Sequence, residues 1–380
     1  MWNLMTDDAI SVEDKRELSS FILSSDKLTQ GKQVKEFERQ WSAWLDCKYS
    51  VFVNSGSSAN LMLVRALCSR DKEKTSWVSQ ACTWSTTISP IIQNGSNLFL
   101  CDVDLNNFSP SLIELEKIFK DQSIDYLFLT HLLGFCAISK ELLGLCDKYG
   151  VVLVEDCCEA HGASFEGKKV GTFGVGSTFS FFYGHHMTTI EGGMICTDNE
   201  DLYHDLLLLR SHGLLRELPK SEMAIRKLDS VDPLFCFLRD GYNLRNTEIN
   251  ATLGLLQLPR LDASIEHRNK IFSLFLRNLD SEVYETDFNI RGCSNFALPI
   301  FVKNQDDMKL VKDALRSLGV EYRPCIAGNL HLHPLTKDVS KFYTDENVQK
   351  IHDRCIYVGN HKDISTDQVL ELCSYLNSIK

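Results

Sequence analysis

Val151-Val152-Leu153-Val154-Glu155-Asp156 is an apolar run of four closed by two carboxylates. A short apolar run bounded by polar residues reads as a buried strand, of the kind covered on both faces. Working outward, six more strand-sized runs surround it, at residues 50–54, 76–80, 97–101, 125–130, 178–182 and 193–197. Helical spacing fills several of the gaps, at 59–67, 111–119 and 139–148. Strand–helix alternation of this kind predicts an α/β domain with a mostly parallel seven-stranded sheet and helices on both faces. Function in such sheets gathers at the loops leaving the carboxyl ends of strands, and Glu155 and Asp156 stand at such an end.

The flanks differ in texture. The first 45 residues read as helical, with Val34, Phe37, Trp41 and Trp44 on one face at spacings of three and four. A long helical stretch runs from Thr247 to about Arg277. Beyond it, short strands at 296–301 and 320–323 mix with helices at 306–318 and 366–379. The expected division is a large domain over residues 1–250, including the helical N-terminal segment, and a smaller α+β domain over residues 251–380. A chain of 380 residues has room for both, at roughly 100–200 residues per domain.

Composition narrows the function. With 44% hydrophobic and 24% charged residues the chain can bury a full core, which argues against disorder. The net charge of −11 argues against a broad nucleic-acid or membrane surface, since phosphate binding needs clustered Lys and Arg. A local basic pocket for one nucleotide is still compatible with it. Apolar runs such as residues 126–135 are strand-sized and fall far short of about 20 residues for a membrane span. The opening residues are acidic and lack a signal-peptide pattern. The 14 cysteines therefore read as reduced, cytoplasmic core residues. None is spaced as C-x-C or C-x-x-C, so no metal site is expected.

Three segments carry candidate chemistry. In Asn54-Ser55-Gly56-Ser57-Ser58-Ala59-Asn60 a strand runs into a helix through small residues. Helix N-terminal amides and serine hydroxyls make an anion site, and the same residues equally make a helix cap with a tight turn. Asp156 needs a partner if buried. A protonated pyridine nitrogen is one, and capping the next element is the commoner alternative. Ser177 to Gly193 is a strand, a loop with adjacent His185 and His186, and a second strand. A histidine there can act as a base near neutral pH, or both can be ordinary loop residues.

Taken in order, these segments resemble the sugar-nucleotide aminotransferases of the DegT/DnrJ/EryC type, fold-type I pyridoxal-phosphate enzymes of aspartate aminotransferase-like architecture. The resemblance covers nearly the whole chain. It includes the opening helix at Gly31–Glu38, the phosphate turn at Asn54–Ser58, Glu155–Gly162 on the cofactor strand, and Gly241–Arg245 through Ile249 in a loop each subunit lends its neighbour. The resemblance implies that Gly56, Ser57, Ser180 and Asn243 of a second copy bind the cofactor phosphate. It further implies that Trp84 stacks on the ring, that Asp156 pairs with its nitrogen, and that Glu159 lies by its hydroxyl. An obligate homodimer with shared active sites follows.

One departure is informative. Family aminotransferases have lysine where this chain, in Ser180-Phe181-Phe182-Tyr183-Gly184-His185, has His185. Imidazole moves protons but cannot make the covalent bond by which a lysine amine anchors the cofactor aldehyde. Lys168 and Lys169, the nearest lysines, sit in a Gly-Lys-Lys turn and are poor substitutes. The keto-sugar 3-dehydratase branch has this substitution, and the segment from Ala327 to Leu330 after Arg323 is similar to that branch. Without clustered cysteines the chain resembles its cluster-free type, which implies a GDP-linked 4-keto-6-deoxymannose as substrate. Glutamate would load the cofactor as pyridoxamine phosphate. His185 would then take the cofactor C4′ proton and assist departure of the C3 hydroxyl, giving a 3-deoxy-4-keto sugar nucleotide and ammonia. His186 is the alternative base. His212, Arg323 and Asn329 are candidate substrate contacts, and His331 and His333 read as loop residues. The rival readings are a sugar-nucleotide 4-aminotransferase that tolerates histidine and a catalytically silent binder of cofactor and nucleotide sugar.

Overall fold

The structure is a computed structural model and describes residues 2–70, 75–226, 228–337, 340–341 and 343–379. The chain opens with α1 (Val12–Ser24) and α2 (Lys32–Leu45). Val34, Phe37 and Trp41 are fully buried on one face of α2, and Trp44 is half-buried. The expected helical region is thus two helices. The gap at residues 25–31 ends in Gly31, which has no side chain to cap α2. Glu248 caps it instead, 217 residues along the chain. Its carboxylate accepts from the amides of Gly31, Gln33 and Val34, each at 2.9 Å.

Strands and helices then alternate: β1 (Tyr49–Val53), α3 (Gly56–Arg70), β2 (Ser76–Gln80), α4 (Ser85–Gln93), β3 (Asn97–Cys101), α5 (Leu112–Asp121), β4 (Tyr126–Thr130), α6 (Lys140–Tyr149) and β5 (Val152–Asp156). A hairpin of β6 (Ser164–Phe165) and β7 (Lys168–Lys169) leads to β8 (Ser177–Ser180), β9 (Gly193–Thr197), α7 (Glu200–Arg210) and the short α8 (Lys220–Arg226). The remainder is α9 (Glu248–Gln257), α10 (Leu261–Asn278), β10 (Ala297–Phe301), α11 (Asp307–Ser317), β11 (Tyr322–Pro324), β12 (Ser340–Lys341), α12 (Glu346–Arg354), β13 (Cys355–Gly359) and α13 (Thr366–Asn377).

The large sheet has the order β1-β9-β8-β5-β4-β2-β3, with the two-residue β12 added at the β3 edge. Only β9 runs antiparallel to its neighbours, β1 and β8. The mostly parallel seven-stranded sheet read from the sequence is therefore present, with β5 central. A smaller antiparallel sheet, β10-β13-β11, follows. The expected single helix from residue 247 is broken by a 3-10 turn at Leu258–Arg260. Pro259 explains the break, because proline supplies no amide to the helical ladder. The N-terminus joins the small sheet's side of the molecule: Trp2 bridges to Val320, and its indole donates to the Gly359 carbonyl at 2.9 Å. Among the described residues no helix is long and apolar enough to cross a membrane.

Glu155 fixes the carboxyl end of β5. It is fully buried, and its two oxygens accept from the amides of Gly171 and Phe173 at 2.7 Å and Gly174 at 2.8 Å. His131 Nε2 approaches it at 3.2 Å. His131 Nδ1 accepts from the Ala137 amide at 3.1 Å, so the ring proton sits on Nε2 and points at the carboxylate. Cys157 completes a group whose ligand atoms lie within 4.8 Å of one another. Burial holds the Cys157 thiol well above its usual range, hence protonated. The group reads as a satisfied polar anchor joining β4, β5 and the loop before β8.

Glu155→Ala leaves three amides and an imidazole without their acceptor. It is expected to lower stability by about 3–5 kcal/mol, the cost of removing one partner of a buried charged cluster. Equilibrium denaturant unfolding of the two proteins measures it.

Candidate active site

A cavity of about 350 Å³ opens at the carboxyl ends of β4, β5 and β8. Its floor is the turn from β1 into α3. A Cβ added to Gly56 would stand 2.6 Å from Ser180 Cβ, and one on Gly193 would stand 2.2 Å from the Ser55 carbonyl oxygen. Close packing of β8 and β9 onto the turn therefore demands glycine at both positions. Ser55 Oγ accepts from the Ser58 amide at 3.0 Å, and the Ser57 hydroxyl lies 3.0 Å from that of Thr86. Gly56, Ser57 and Ser180 thus line one end of the cavity at the N-terminus of α3, where the helix dipole favours an anion.

Asp156 also lines the cavity and is 3% exposed. Its Oδ2 accepts from Asn60 Nδ2 at 3.0 Å and from the Thr87 hydroxyl at 2.8 Å, and its Oδ1 accepts from the Cys158 amide at 3.1 Å. Thr178 donates to Asn60 Oδ1 at 2.6 Å, which fixes the orientation of that amide. A Thr83–Thr130 hydroxyl contact of 2.7 Å extends the same network. Trp84 caps the cavity edge and is 55% exposed, unusual for so large an apolar group. Glu159 accepts from the Leu133 amide at 2.8 Å. Burial, reinforced by the charge of Asp156, pushes its carboxyl up to about 8, so it is mainly protonated at neutral pH.

His185 reaches the cavity from the loop after β8. Phe296 packs on its ring at a centroid distance of 5.2 Å, and its carbonyl accepts from the guanidinium of Arg268 at 3.3 Å. Its Nδ1 is buried without a partner, which leaves Nε2 as the nitrogen available to the cavity. Burial, with Arg268 beside it, pulls its basicity down to about 3, so the ring is neutral. Among the described residues no lysine or arginine lines the cavity. Lys169 donates to the Trp44 carbonyl at 2.6 Å and Lys168 lies over Phe173, both on the hairpin.

Gly56, Ser57, Trp84, Asp156, Glu159, Ser180 and His185 are therefore brought together. His186 is buried, turned away, with Nε2 3.1 Å from the Ser294 carbonyl. His212 is exposed with left-handed backbone, φ 62°. Arg323 is exposed on β11 and pairs with Glu321 at 2.9 Å. Asn329 is fully buried, with its side chain occupied by the His331 amide, Asp345 and Gln349. His333 turns to the Ala327 carbonyl at 2.9 Å. None of these lines the cavity in this chain, nor does Asn243, which is exposed and accepts from Arg245 at 3.1 Å. Sequence reading gave no role to Thr87, nor to Asn60, although the latter stands inside the quoted Asn54–Asn60 turn. It missed Phe296, Ile326 and Tyr357, the small-sheet wall, and also Arg268. Arg268 left one signal: it occupies the buried face of α10 with Ile271, Phe272 and Phe275.

The arrangement suits a flat aromatic ligand. An anion site, an acceptor-only carboxylate and a bare indole line one cavity, and among the described residues no lysine lines it to bond an aldehyde. Pyridoxal or pyridoxamine phosphate, with a phosphate and a protonatable ring nitrogen, meets these demands. Residues 9–377 match the DegT/DnrJ/EryC1/StrS aminotransferase family. GDP-4-keto-6-deoxy-D-mannose 3-dehydratase of Yersinia pseudotuberculosis is 33% identical, over 97% of this chain and 97% of its own. The solved E. coli GDP-4-keto-6-deoxy-D-mannose-3-dehydratase with bound hydrated PLP is 30% identical, with a TM-score of 0.91 over 99% of both chains. A further structure, of a GDP-4-keto-6-deoxymannose-3-dehydratase with a trapped PLP–glutamate geminal diamine, is 30% identical with a TM-score of 0.91, over 99% of this chain and 100% of the other.

Glu159 generates a pH test. Its folded value near 8 lies above the ordinary 4.5, so the folded state holds a proton that the unfolded state releases. Its contribution is full below about 4.5 and is lost as pH rises toward about 8. Glu159→Gln keeps the shape without the titration. The stability advantage of the variant over the wild type, both cofactor-free, is expected to grow between these pH values, as measured by paired thermal melts.

Proposed function

The chain belongs to the DegT/DnrJ/EryC1/StrS aminotransferase family, and from that premise we propose that it removes the C3 hydroxyl of a nucleotide-linked 4-keto-6-deoxy sugar, GDP-4-keto-6-deoxymannose, with glutamate as amino donor. The observation that carries this reading is His185 at the cavity, with no lysine lining it among the described residues. A base without a competing amine releases the sugar unaminated, whereas a lysine would capture the cofactor and favour an amino sugar. The relatives named above, and the glutamate trapped on PLP in one of them, support the substrate and the donor.

Pyridoxamine phosphate, when bound, supplies the amine that joins the C4 ketone and the ring that takes up electrons during loss of the C3 hydroxyl. Gly56, Ser57 and Ser180 would hold its phosphate. Asp156, fixed by Asn60 and Thr87, would hold a proton on the ring nitrogen. Trp84 would cover one ring face, and protonated Glu159 would donate to the ring hydroxyl. His185 Nε2 accepts the C4′ proton in its neutral form and returns one to the departing hydroxyl. Phe182 and Phe296, whose rings lie 6.2 and 5.2 Å from that of His185, would flank that transfer. Residues 1–250 would carry the cofactor, and residues 251–380, reaching the cavity through Phe296, Ile326 and Tyr357, would face the sugar.

The same reading makes the protein a homodimer with shared sites, Asn243 of each copy completing the phosphate site of the other. Two features support it. Asn243 is exposed and does not line its own cavity. The adjoining segment also exposes Ile225, Leu234, Phe235 and Phe237, each more than half accessible. A cytoplasmic location fits the free state of all 14 cysteines.

Purified protein with pyridoxal phosphate, glutamate and GDP-4-keto-6-deoxymannose is expected to give the 3-deoxy sugar and ammonia, identified by mass spectrometry. His185→Asn should slow turnover by at least about 10²-fold, the usual worth of a positioned base. Amino sugar from the wild-type protein would replace this reading with the transaminase.

A further inference from the structure

His161 is the least accounted-for polar group near the cavity. It lies just beyond β5 with no exposed surface, caged by Trp41, Phe179 and Phe181 at centroid distances of 5.6, 5.8 and 5.6 Å. Neither ring nitrogen has a partner at full hydrogen-bond geometry, and the Ser180 carbonyl is the backbone acceptor beside the ring. Unpaired buried polar atoms are costly, so phenylalanine would suit this aromatic cage better. The neighbours suggest why histidine is there. The His161 ring stands 6.1 Å from that of His185 and 5.2 Å from that of His186. Both of those rings have an unpaired buried Nδ1.

Donor and acceptor accounting orders the three rings. His186 Nε2 faces the Ser294 carbonyl, an acceptor, at 3.1 Å, so its proton sits on Nε2 and its Nδ1 is an open acceptor. For His185 Nε2 to accept a proton, its neutral ring must carry hydrogen on Nδ1, and that hydrogen needs an acceptor. One ring between them, with one N–H and one lone pair, satisfies both ends, and His161 occupies that position. We propose that His161 is a positioning residue, the middle link of a chain that runs His185 Nδ1–H to His161, His161 N–H to His186 Nδ1, and His186 Nε2–H to the Ser294 carbonyl. The chain holds His185 in the tautomer whose Nε2 lone pair faces the cavity. In the ligand-free cavity the links are open, and they close by small ring turns when the site fills, as bonds to catalytic groups do elsewhere.

The inference rests on the dehydratase reading only for its kinetic half. Its test compares the wild type with His161→Phe, which removes both nitrogens at similar volume, and His161→Gln, which keeps a donor and an acceptor. In ¹⁵N-histidine-labelled protein loaded with pyridoxamine phosphate, which fills the site, His185 is expected to show the Nδ1–H tautomer, and His161→Phe should abolish that preference. With substrate, His161→Phe should lower kcat about tenfold or more with KM within about twofold, without lowering the melting temperature. His161→Gln should recover part of kcat. An unchanged His185 tautomer and kcat in His161→Phe would overturn the proposal. So would an unstable His161→Phe with His161→Gln no better, since that is packing alone. If the wild type makes no 3-deoxy sugar, the functional reading fails, and the tautomer measurement still decides the chain of imidazoles.

Discussion

Two carboxylates at the end of a buried strand impose the constraint on which the rest of the site depends. Neither Glu155 nor Asp156 can be enclosed without donors, and the fold meets the two demands separately. Glu155 is satisfied from within, by the loop before β8 and by His131. Asp156 has donors on both oxygens yet still faces the cavity, so it can accept from a cationic ring nitrogen. The first carboxylate makes the strand end rigid, and the second uses that rigidity to place charge. Both belong to the same strand, so the position of the cofactor ring is tied to the centre of the sheet.

Chemistry then turns on what stands opposite. A lysine in the loop after β8 would bond the aldehyde form of the cofactor and take part in every proton transfer. His185 is neutral, desolvated and packed against Phe296, so it moves protons without forming that bond. Its low basicity is a consequence of burial beside Arg268, and filling the cavity with an anionic ligand changes that environment in the direction that favours imidazolium. The donor and acceptor pattern behind it, through His161 and His186 to the Ser294 carbonyl, runs in one direction only and gives the histidine a defined tautomer.

The large sheet was legible because each of its seven main strands is a short apolar run and helical spacing falls between several of them. The cavity residues at strand ends were legible for a related reason: Gly56, Asp156, Ser180 and His185 stand where a run of one period stops. What was not legible depends on distant partners. Glu248 capping α2 cannot be read from either segment, and neither can Phe296 and Tyr357 as a wall of the cavity. Helix α12 has only Val348 and Ile351 buried, too few to show a period, and so β13, the central strand of the small sheet, also escaped notice. Arg268 was missed because a charge on an apolar helix face is invisible until the carbonyls around it are in place.

The account stands or falls on a cofactor held without a covalent amine. Protein loaded with pyridoxal phosphate can be treated with borohydride, unfolded and weighed intact by mass spectrometry, with His185→Lys treated in parallel. The structure predicts that the wild-type mass is unchanged while the lysine variant gains one phosphopyridoxyl group. A stoichiometric phosphopyridoxyl adduct on a wild-type lysine would contradict it, because that lysine would have to reach a cavity that no lysine lines among the described residues.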